Sequence, residues 1–150
     1  MKLTTKCSIA MHCLIFIAEF GDQTKVTSEL LAKSTGCNAA AIRSILTALQ
    51  KAGIISVARG VGGARLNRPP EDISMWEVYD TLEPGGLEHF IGCHPNPNPK
   101  CVVGAHIHDV LDAPYQQIGL SVRKTMEQIT LKQILEDFQR TTKGKDDSPL

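Results

Sequence analysis

Apolar positions recur at helical spacing from the start of the chain. Ile9, Cys13, Ile17 and Phe20 form one stripe, with Ala10, Leu14 and Ala18 beside it. The pattern predicts a helix over 4–20, capped by Thr4 or Thr5 and ended at Gly21 and Asp22. It is too apolar for a surface helix and should lie under the others. TSELLAKS, residues 27–34, predicts a short second helix with Thr27 as N-cap and Glu29 in its first turn. TGCN, residues 35–38, breaks the pattern: Gly36 can turn left-handed and Asn38 can cap a further helix. That third helix is expected from Ala39 to Ala52, with Ile42, Ile45, Leu46 and Leu49 as its buried stripe and Gly53 as its stop.

Two helices joined by a four-residue turn containing glycine match a helix-turn-helix, and equally an ordinary helical hairpin. The exposed face of the third helix carries Ala39, Ala40, Arg43, Ser44 and Thr47. Small or donor-bearing residues there suit a helix inserted into a major groove. The pattern then changes to strands, Ile54–Val57 and Ala64–Leu66, ended by Pro69 and Pro70. Between them Gly60, Gly62 and Gly63 are flanked by Arg59 and Arg65. A dinucleotide fingerprint would need glycine at position 65, and a P-loop would need G-x-x-x-x-G-K-[ST]; neither is present, and no helix comes after. A hairpin directly after a candidate recognition helix reads instead as a β-wing, its basic tip set against a phosphate backbone or minor groove.

A fourth helix is expected over 73–83, with Ser74 and Glu77 as a capping box and Ile73 and Val78 as a staple. Trp76, Val78 and Leu82 can pack it onto the domain. Residues 84–100 form a loop stiffened by Pro95, Pro97 and Pro99 and bracketed by Cys93 and Cys101. A long helical stripe comes next: Val103, Ile107, Val110, Leu111, Tyr115, Ile118, Val122, Met126 and Ile129, with Pro114 expected to kink or interrupt it. Two readings stand for this stripe, packing on its own domain or on a second protomer, and its length favours a dimerisation helix. Thr130 can cap a last short helix, and the polar tail should fray.

Charge sharpens the picture. The formal net charge is zero, yet residues 1–70 hold nine Lys/Arg against three acids, and 71–150 hold seven against thirteen. This asymmetry points to a nucleic-acid surface on the first half. The longest apolar run, residues 9–18, is too short to span a bilayer, and the start lacks a signal-peptide pattern, so a cytoplasmic protein is expected. Cys7, Cys13 and Cys37 read as reduced packing residues.

The element order, together with KAGIISVARGVGG and then ISMWEV, resembles the winged helix-turn-helix regulators of the Rrf-two type, over about residues 1–138. That family includes an iron–sulfur cluster regulator, a nitric-oxide-responsive repressor and a cysteine-metabolism repressor. The resemblance implies a bacterial dimer on operator DNA, with the long helix as interface and the wing on DNA. Ala64 stands where the family prefers an aromatic. Cluster-holding members carry three loop cysteines and, in the cluster regulator, a histidine three residues after the last. Here only Cys93 and Cys101 are present, Gly104 takes the histidine's place, and NPNPKC (96–101) resembles a cluster-less subgroup. The incomplete set argues against an iron–sulfur cluster, and no cofactor or resident metal is expected.

The expected fold is mainly α with a two-stranded β-wing, divided into a DNA-binding domain (1–83), a Cys/Pro-rich loop (84–101), a dimerisation helix with a short C-terminal helix (102–138) and a tail (139–150). The expected function is a homodimeric DNA-binding transcriptional regulator, a repressor on double-stranded operator DNA, with no membrane association and an unknown effector. Candidate DNA contacts are Lys6, Ser28, Asn38, Ala39, Ala40, Arg43, Ser44, Thr47, Arg59, Gly60, Val61, Gly62 and Arg65. Candidate dimer contacts are Val103, Ile107, Val110, Leu111, Ile118, Val122 and Met126. Cys93, Cys101 and His94 leave open a redox pair, within or between protomers, a metal site, or no role. The reading from another class, a small thiol- or metal-dependent enzyme using the same three residues, lacks C-x-x-C, G-x-S-x-G and H-E-x-x-H motifs.

Overall fold

The computed structural model describes residues 4–60, 62–87 and 91–144. Its elements are α1 (Lys6–Phe20), α2 (Ser28–Thr35), α3 (Ala39–Lys51), β1 (Ile55–Ala58), β2 (Gly63–Leu66), a 3₁₀ turn (Pro70–Asp72), α4 (Met75–Leu82), α5 (Val102–Gln128) and α6 (Leu131–Thr142). α1 is central: Ala10, Cys13, Leu14, Phe16 and Ile17 are buried, and α2, α3, α4, α6 and β2 all pack around it. The expected α3 stripe, Ile42, Ile45, Leu46 and Leu49, is buried against it.

Helix starts match the side chains read as caps. The oxygens of Thr27, Asn38, Ser74 and Thr130 accept from the backbone N–H three residues on. Two starts differ from expectation. At α4, Glu77 does not complete a capping box with Ser74; its carboxylate pairs with Arg68 instead. The full box forms at Thr130 and Gln133. At α1, Thr5 makes no cap bond and Thr4 accepts from Lys6 N–H at 3.2 Å.

β1 and β2 pair antiparallel, from Ile55 opposite Leu66 to Ala58 opposite Gly63. α6 returns to the first half of the chain: Leu131 donates to Ile73, Met75 donates to Ile129, and Leu131 and Leu135 join the core. α5 stands apart and packs mainly on α4, where Arg123 lies 5.0 Å from the Trp76 ring centre. Trp76 therefore serves the α4–α5 contact. The expected break at Pro114 does not occur; α5 runs through it without interruption. Pro114 leaves the Val110 carbonyl, one turn earlier, without its intrahelical N–H donor.

Candidate nucleic-acid interface

α2, the turn 36–38 and α3 form the helix-turn-helix, with Gly36 left-handed at φ 71°. Arg43, Ser44 and Thr47 are exposed along α3, and Ala40 beside them adds little bulk. Asn38 is exposed, but its carboxamide oxygen accepts from Ala41 N–H at 2.8 Å, so its first task is to start the helix. Arg43 is engaged with Glu29 at 3.3 Å.

The wing is tied to the connection between α1 and α2. Ala64 N–H donates to Val26 O at 3.0 Å. The Lys25 ammonium donates to the Gly60 carbonyl, and Arg65 pairs with Asp22. Gly63 has φ 72°, and a Cβ there would lie 2.8 Å from Val26 N, so the strand can come this close only as glycine. Ala64, which stands where the resembled family prefers an aromatic, is buried, with β2 packed on α1.

A cleft of about 400 Å³ runs between the helix-turn-helix and the wing. It gathers Ser28, Arg43, Thr47 and Gly60 from the expected contacts and adds Lys25, Glu29 and Gln50. Arg59 is exposed at the wing tip, and among the described residues no carboxylate pairs with it. Val61 lies outside the described residues. Lys6 is not part of the cleft; it pairs with Glu83 at 3.0 Å, at the end of α4. Sequence reading missed Lys25 and Glu29. Lys25 carries no motif, whereas Glu29 is the lone acid between Asp22 and Glu71, a signal that was available.

In the loop, Cys93 and Cys101 are both exposed thiols. The Cys101 thiol is held below its ordinary value of 9.0 by the N–H groups of Gly104 and Val103 at the start of α5. Burial pushes the Cys7 thiol up, and burial, with Cys37 nearby, pushes Cys13 up to about 12. A Cβ at Gly104 would overlap the Asn98 carbonyl, so the folded loop occupies the position where the cluster regulator has its histidine. The His108 ring nitrogen Nε2 is 2.9 Å from the His94 carbonyl, and the two rings meet edge to face. Among the described residues no three His, Cys, Asp or Glu side chains converge as a metal site would require.

The expected dimer stripe on α5 divides. Ile107, Leu111, Val122 and Met126 are half-buried within the protomer, while Val103, Val110 and Ile118 are 67 %, 64 % and 40 % exposed. Gly119, the buried residue of α5, lies under Leu87: a Cβ there would stand 3.1 Å from the Leu87 carbonyl. No helix among the described residues is long and apolar enough to cross a membrane.

Comparison with known proteins agrees with this architecture. Residues 3–137 match the family model described as Rrf2, iron-dependent transcriptional regulator. YwnA of Bacillus subtilis (strain 168), named as an HTH-type transcriptional regulator, is 32% identical over 133 residues, covering 89% of this chain and 96% of YwnA. A solved structure from Lactobacillus plantarum, described as a transcriptional regulator, superposes with TM-score 0.77 at 25% identity and covers 93% of each chain. The structure of T. potens IscR shares the fold, with TM-score 0.72 at 20% identity, covering 97% of this chain and 94% of that one. These relatives are regulators, and they give the enzyme reading of Cys93, Cys101 and His94 no support. A helix-turn-helix with a basic wing, a match across nearly the whole chain and a relative alike over most of its length place this chain in the Rrf2 family of winged helix-turn-helix transcriptional regulators.

Proposed function

We propose that the chain acts in the cytoplasm as a homodimeric repressor on two-fold symmetric operator DNA. The observation that carries this reading is the cleft between α3 and the wing, lined by Ser28, Arg43, Thr47 and Gly60, with the exposed Arg59 next to Gly60 and without a carboxylate partner among the described residues. α3 enters the major groove and presents Ala39, Ala40, Arg43, Ser44 and Thr47 to base edges. Ser28, Arg59 and the backbone of the glycine turn, Val61 and Gly62 included, meet phosphates. Lys6 and Arg65 already face the carboxylates of Glu83 and Asp22, which offset part of their charge, so they contribute less than Arg59. The exposed apolar residues Val103, Val110 and Ile118 face the second protomer, and Ile107, Leu111, Val122 and Met126 support that face from behind.

A duplex enriched by the wild-type chain from a random-sequence pool tests the assignment by fluorescence anisotropy across a salt series. Arg59→Ala weakens binding to all sequences and reduces the salt slope by about one. Arg43→Ala relaxes preference at particular base pairs. Unchanged affinity, preference and slope in both variants would remove the proposed surface from DNA. Exposure and the lowered thiol value together support redox sensitivity at Cys101, with Cys93 as the exposed partner in the same loop.

A further inference from the structure

Among the described residues, the cleft between α3 and the wing is lined by one acid, Glu29. Glu29 sits in the first turn of α2, and no other acid occurs from residue 23 to residue 70. Its carboxylate meets Arg43 Nη1 at 3.3 Å, linking α2 to α3 across the helix-turn-helix. The two side chains are 67 % and 58 % exposed, and both line the cleft beside the wing. An ion pair this exposed contributes little to stability. On a surface that only gripped phosphates, a carboxylate would be a repulsive cost. Glu29 is nonetheless held in its charged form, first by its own backbone N–H, then by Ser28, with Arg43 adding to the effect.

Arg43 explains why the charge is useful. It is the one long cationic side chain on the first two turns of α3. A guanidinium has five N–H donors in a rigid plane, so a carboxylate on one edge leaves the other edge oriented and free. Reading guanine takes two parallel bonds to O6 and N7, which a freely rotating arginine makes only by giving up conformational freedom.

We propose that Glu29 is a positioning residue for sequence readout: it holds the Arg43 guanidinium at the mouth of the cleft with its free edge turned to a guanine, so that some affinity is given up for discrimination. The inference rests on the assignment of α3 to the major groove.

The test uses the full chain and the pool-enriched duplex, beside duplexes in which each base pair of a half-site is changed in turn. Binding is compared for wild type, Glu29→Gln, Arg43→Ala and the double variant at one salt concentration, with thermal unfolding confirming that each is folded. Glu29→Gln should bind an unrelated duplex about threefold more tightly, because a phosphate-repelling charge is gone. It should lose about three- to fivefold of its discrimination at one or two adjacent G·C pairs, the range an exposed ion pair can supply. The double variant should discriminate no worse than Arg43→Ala alone, since both changes remove one coupled interaction. Glu29→Asp keeps the charge and should retain part of the preference. If Glu29→Gln strengthens binding to every duplex equally and keeps the full preference, the carboxylate does no positioning and the proposal is overturned. If the wild type itself shows no preference at any base pair, the groove assignment of α3 fails and takes the proposal with it, an outcome distinct from the first.

Discussion

At the scale of single residues, the structure separates side chains that the sequence treats alike. Cys7, Cys13 and Cys37 read as packing residues and Cys93 and Cys101 as a candidate redox pair; Cys93 and Cys101 are exposed, and the Cys101 thiol is pulled down by the N–H groups of a helix start. A lowered pKa means that the thiolate is already present at a pH where the raised thiols of Cys7 and Cys13 remain protonated. At pH 7.5, Cys101 is therefore expected to react with a thiol reagent roughly tenfold or more faster than Cys7 and Cys13, as monitored by mass spectrometry of digested protein. Equal rates for all three would contradict the helix-start environment. Caps were legible because each is a local event: Thr27, Asn38, Ser74 and Thr130 need only the N–H three residues ahead. Ion pairs were not. Glu29–Arg43, Asp22–Arg65 and Lys6–Glu83 join residues far apart in sequence, and nothing in a one-dimensional pattern ranks such partners. This is why Arg65 and Lys6 read as free phosphate contacts when each already has a carboxylate.

At the scale of elements, the wing is fastened as much as it is folded. Its two short strands are held to the α1–α2 connection by Ala64 N–H, Lys25 and Arg65, and the approach depends on Gly63. Gly63→Ala meets both an unfavourable φ and the Val26 backbone, so it should destabilise the protein by about 1–3 kcal/mol in urea unfolding. DNA affinity should drop as the tip loses its position. An unchanged midpoint would show that the strand tolerates a side chain there. α6 depends on the same core: Leu131 is fully buried beside Ile73, and Leu131→Ala should cost about 2–5 kcal/mol. Hydrophobic periodicity found every helix, since the stripe Ile42, Ile45, Leu46 and Leu49 is a property of the segment itself. It did not decide between a kink and an interruption at Pro114; α5 is one element through that position.

At the scale of the whole molecule, the asymmetry of charge and the asymmetry of covering tell one story. The basic first half holds the helix-turn-helix and wing, while the acidic second half supplies a long helix with Val103, Val110 and Ile118 bare to solvent. The stripe on α5 was visible in sequence, but periodicity does not say what covers each side. The structure half-buries Leu111 and Met126 and leaves Val103, Val110 and Ile118 exposed. Changing Val110 and Ile118 together to glutamate should convert the dimer to a folded monomer by light scattering, with DNA affinity reduced on the order of a hundredfold through lost avidity. A pair of changes that leaves the mass and affinity as they were would place the interface elsewhere. The central claim is that two protomers present two α3 helices and two wings to one duplex. Hydroxyl-radical footprinting of the enriched duplex, combined with the mass of the complex, tests it most directly. The account predicts two chains per duplex and two protected half-sites related by a dyad, centred about one helical turn or a small multiple of it apart. A single chain bound to one unbroken, asymmetric footprint would contradict it.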